Sequence, residues 1–236
     1  MNKNEILDKF SSERVDILID LNFIINKMNN LNQENTPRKE LGLNVMSAFM
    51  LYSSIYEKTS KLILGLLMDV LKNDDSKSIL SYLLAFSYRN PISDEDDMNE
   101  HEIIESFEDR FKTKKRAISS SFISKNKSLN DISFISSIMN INEVDSANFN
   151  SLINTNFTEY EKGKISLINS LKELEELLSN NYKKRNDAAH GQFKDIDMFS
   201  TNSMYDDAII SLLALKLYIY VISDSFNNFI STRDLS

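Results

Sequence analysis

The chain contains no cysteine and no tryptophan, and only four glycines, two prolines and two histidines in 236 residues. Each scarcity excludes something. Without cysteine there are no disulfides, no thiol nucleophile and no thiolate metal site. With so few glycines and prolines, the tight turns of hairpins have no supply, which argues against an all-β fold. The start, "MNKNEILDKF", lacks the apolar run of a secretory signal. The longest apolar run, "AIISLLALKLYIYVI" at 208–222, is short for a membrane span and carries Lys216, so it is expected as a buried helix. A soluble, cytoplasmic protein with no membrane partner is the expectation.

What is present is a helix-forming composition, rich in Leu, Ile, Lys, Glu, Asn and Ser, with 42% hydrophobic residues, enough for a real core. The formal charge of −8 counts against broad affinity for nucleic acid, although a local basic site stays compatible with it. The periodicity predicts an all-α fold, a bundle of about 6–8 helices in one domain over 1–236. A first helix over 4–31 repeats Ile6, Phe10, Ile17, Leu21, Ile24 and Met28, and packs on a core of about 43–230. Pro37 and Gly42 punctuate the chain before a second helix, 43–72, with a stripe of Met46, Met50, Ser53, Glu57, Ser60, Leu64, Leu67 and Leu71. Shorter helices are expected over 77–89 and 99–118, and one or two within 128–158. A long helix over 160–187 carries Leu167, Leu171, Leu174, Leu178 and Tyr182, and a last helix spans 204–230.

The stretch "KKRNDAAHGQF", 183–193, holds one of the two histidines. Histidine exchanges a proton near neutral pH, and arginine grips phosphate oxygens with two parallel hydrogen bonds. Together they suit metal-independent RNA cleavage: His190 acts on the 2′-hydroxyl or the leaving oxygen, and Arg185 stabilises charge on the phosphate. Asn186 lies one helical turn before His190 and can orient either group. Arg185 and His190 lie about 140° apart on a regular helix, so completing the site needs a loosened helix or a second copy across a two-fold axis. The structural alternative is a helix C-terminus whose cations Lys183, Lys184, Arg185 and His190 answer the dipole, closed by Gly191.

"RNDAAHG" resembles the signature of the HEPN superfamily: Arg, a polar residue, a short spacer, then His. Arg185, Asn186 and His190 match it position by position. "AFMLYSSIYEKTSKLI" is similar to a first core helix of larger members. The resemblance implies a HEPN-like helical bundle and a metal-independent endoribonuclease that leaves a 2′,3′-cyclic phosphate, with no cofactor. It also implies a homodimer with a composite active site. The similar branches are the RiboL-PSP type and those of toxin–antitoxin and antiphage-defence loci, which points to a toxin or defence effector and to a restraining antitoxin or regulatory partner protein. Members silenced by minimal nucleotidyltransferases carry a tyrosine two residues after the histidine. Here that position is Gln192, so that silencing is not expected.

Other residues carry chemistry beside the motif. Glu57 falls on an apolar stripe, where a charge is costly unless paired. It either fixes Arg185 or His190, or forms a surface pair with Lys61. Tyr182 is placed to stack on a base. Lys112, Lys114, Lys115 and Arg116, with Lys125 and Lys127 beyond and Lys183 and Lys184 at the motif, either guide the RNA backbone or balance the acidic run before them. His101, Glu105 and Asp109 share a helix face, but an acidic solvated helix explains them, and no metal is expected. The Met and Tyr residues of 46–56 are expected in the core. A different class of function stays open: a non-catalytic helical HEPN-like protein-interaction module.

Overall fold

The first helix starts where a cap can form. Asn2 accepts from the Glu5 amide at 3.0 Å, and Glu5 reaches back to the Asn2 amide at 3.0 Å. This reciprocal box satisfies two of the amides that a helix start leaves unpaired. In the computed structural model, which describes residues 2–31, 35–71, 146–178 and 198–232, the helix it opens, α1, runs Lys3–Asn29. Every member of its expected stripe is buried, from Ile6 to Met28.

The second helix, α2, is Arg38–Leu71. It begins earlier than the expected 43. The Pro37 carbonyl accepts from the Leu41 amide at 2.9 Å, so the proline stands at the helix entrance and Gly42 lies inside the helix. Leu41 and Val45, both buried, anchor this added turn. The buried face of α2 is also rotated from the expected stripe. Leu41, Val45, Phe49, Tyr52, Tyr56, Ile63 and Leu66 point inward, whereas Met50 is 51% exposed. Tyr52 and Tyr56 are core residues, as expected.

The remaining described helices are α3, Ser146–Asn156, α4, Glu159–Lys164, α5, over 171–178, and α6, Met198–Ser231. The single helix expected over 160–187 is therefore interrupted. Ser170 accepts from the Glu173 amide at 3.2 Å, and Glu173 accepts from the Asn169 amide at 2.7 Å, which starts α5 as a new helix. The break turns Leu167 outward, 86% exposed, while Ile165 and Ile168 enter the core in its place. Leu174 and Leu178 are buried as expected. The helices expected over 77–89 and 99–118 lie outside the described residues.

α6 is apolar on nearly every side, which places it at the centre. Leu212, Leu213, Leu217, Ile222 and Phe226 are all fully buried. It is long and apolar enough to cross a membrane by length and composition, yet 83% of that stretch is buried within the protein. α1 and α2 both pack against it and against each other. α1 and α6 are antiparallel. The Lys3 ammonium donates to the Ser231 carbonyl at 2.8 Å, Phe10 meets Phe226 at 4.5 Å between rings, and the Tyr205 hydroxyl donates to the Met28 carbonyl. α3 and α4 pack on α6. The described residues form an all-α bundle with no strand among them.

Candidate functional site

The motif residues Arg185, Asn186 and His190 lie outside the described residues, as do Tyr182, Lys183, Lys184, Lys112, Lys114, Lys115 and Arg116. Of the expected site, the structure places Glu57 and the scaffold that leads to the motif. That scaffold is the face of α2 opposite α5 and α6. The Tyr52 hydroxyl donates to the Leu178 carbonyl at 3.1 Å across the core. Tyr52 stacks near Tyr56, 6.4 Å between centroids, and Tyr56 meets Tyr218 of α6, also at 6.4 Å. Burial, helped by the nearby Tyr56, holds the Tyr52 hydroxyl well above its ordinary value, so it stays a neutral donor.

Beside this aromatic ladder runs a polar stripe. Glu57 is half-buried, one turn from Ser53 and from Ser60 on either side. Both serines are buried, and neither hydroxyl has a hydrogen-bond partner among the described residues. Buried hydroxyls without a partner are costly. The stripe lies on α2 beside the Tyr52–Leu178 contact.

A second polar cluster, on the α4 side of α6, was missed in the sequence. Lys216, the lone charge in the longest apolar run, donates to Glu161 at 2.9 Å, and both side chains are more than nine-tenths buried. Its ammonium lies 4.7 Å from the Phe157 ring centre, a cation–π contact. Glu161 is held from the other side, because its second oxygen accepts from the Thr158 amide at 2.8 Å in the box that starts α4. Tyr220 packs edge-on to Phe157 at 6.2 Å. Its hydroxyl is pushed up by burial, an effect eased by Arg14 and reinforced by Glu161. The sequence signal was available in half: Lys216 stood out, but nothing in the spacing identified a partner 55 residues away.

A surface groove of about 380 Å³ lies between α1 and α2, lined in part by Asp20, Phe23, Lys27, Ser47, Leu51 and Lys58. No group of carboxylates and histidines able to hold a metal occurs among the described residues.

No family model matches this chain, and no curated protein or solved structure is detectably similar to it.

Proposed function

We propose that this chain is a HEPN-type, metal-independent endoribonuclease. The observation that carries the reading is the motif "RNDAAHG" with Arg185, Asn186 and His190 in the order and spacing of that family. His190 takes the 2′-hydroxyl proton or returns one to the leaving oxygen, Arg185 stabilises charge on the phosphate, and Asn186 orients them. The product carries a 2′,3′-cyclic phosphate. Two features lend support. The described elements are all helices, and the polar stripe of Ser53, Glu57 and Ser60 runs beside the Tyr52–Leu178 contact, seven residues before Arg185 in the chain. In this reading Glu57 positions Arg185 or His190. Tyr182 stacks a base, and Lys112, Lys114, Lys115, Arg116, Lys183 and Lys184 guide the backbone of RNA. A homodimer supplies a composite site. The cellular role is that of a cytoplasmic toxin or antiphage effector restrained by a partner protein.

The test is direct. Purified wild type, Arg185→Ala and His190→Ala are incubated with total RNA and tRNA in excess EDTA. Cleavage by wild type alone, with cyclic-phosphate ends, is expected. A wild type that cuts nothing, with all three proteins equally folded, overturns the reading. A non-catalytic interaction module is the second reading. It is favoured by the large apolar residues that α1 and α2 leave exposed, Phe23 at 70% foremost.

A further inference from the structure

We draw no further inference here: the strongest candidate, the groove between α1 and α2 where Phe23 and Leu51 stand exposed beside Asp20, Lys27 and Lys58, carries nothing because nothing in the structure shows what covers it.

Discussion

The Tyr52 hydroxyl donates a 3.1 Å hydrogen bond to the Leu178 carbonyl, joining positions 126 residues apart in the chain. Both residues are fully buried, so the bond is shielded from water. It fastens α2 to α5 just ahead of the stretch that carries Arg185 and His190. A single neutral hydroxyl thus ties the last described turn of α5 to α2.

Tyr52→Phe keeps the ring and removes the donor. The Leu178 carbonyl loses that partner in a dry place, so a loss of about 1–2 kcal/mol in unfolding free energy is expected, read from urea melts. If the proposed ribonuclease reading holds, cleavage falls further than stability alone accounts for, because the motif is less well placed.

The same bond predicts an alkaline signature. A phenol whose folded pKa is raised contributes stability that is intact below the unfolded value, near 10.0, and is lost as pH rises beyond it. The stability difference between wild type and Tyr52→Phe therefore holds up to about pH 9 and shrinks as pH rises past 10. A difference that stays constant beyond that pH would show that the hydroxyl is not held in its neutral form.

Much of the bundle is legible in the sequence, and the failures have physical causes. α1 and α6 follow from unbroken apolar periodicity, because aliphatic residues have one place to go. The face of α2 does not, because its Met, Tyr and Ser residues are equally at home in a core or at its edge; only contact with α6 selects Tyr52 and Tyr56 over Met50. The break before α5 is written as "NSLKE", in which Ser170 caps the Glu173 amide and Glu173 the Asn169 amide, but the leucine period runs through it and masks it. The Glu161–Lys216 pair is a tertiary fact that spacing does not encode. For the motif, the order of Arg185, Asn186 and His190 is read from the sequence alone, since these residues lie outside the described ones.

The interruption can be tested with two leucines that a continuous helix would treat alike. Leu167→Ser is expected to change stability by less than about 0.5 kcal/mol, since that side chain is 86% exposed. Leu174→Ala is expected to cost about 2–5 kcal/mol, since it empties a fully buried position. Equal effects would mean that 159–178 forms one helix after all.

Gly42 lies inside α2, and a methyl group there meets nothing within 4 Å. Gly42→Ala should therefore stabilise the chain by about 0.5–1 kcal/mol, by reducing the freedom of the unfolded backbone without a clash. In a domain of this size that is a rise of about 1–4 °C in melting temperature. A fall would show that the helix starts at 43, with Gly42 held in a turn.

The buried Glu161–Lys216 pair makes the sharpest stability prediction, because the cost of breaking it and the cost of replacing it differ. Lys216→Met leaves a carboxylate stranded beneath α6, and Glu161→Gln leaves an ammonium against the Phe157 ring. Each single change is expected to cost about 3–5 kcal/mol. Together they remove both charges. Met fills most of the lysine's volume, and Gln keeps the bond to the Thr158 amide that starts α4. The double variant is therefore expected to be more stable than either single one, with a coupling of about 2 kcal/mol or more in a double-mutant cycle. Additive losses would show instead that each side chain matters through packing or capping alone, with the two charges solvated independently.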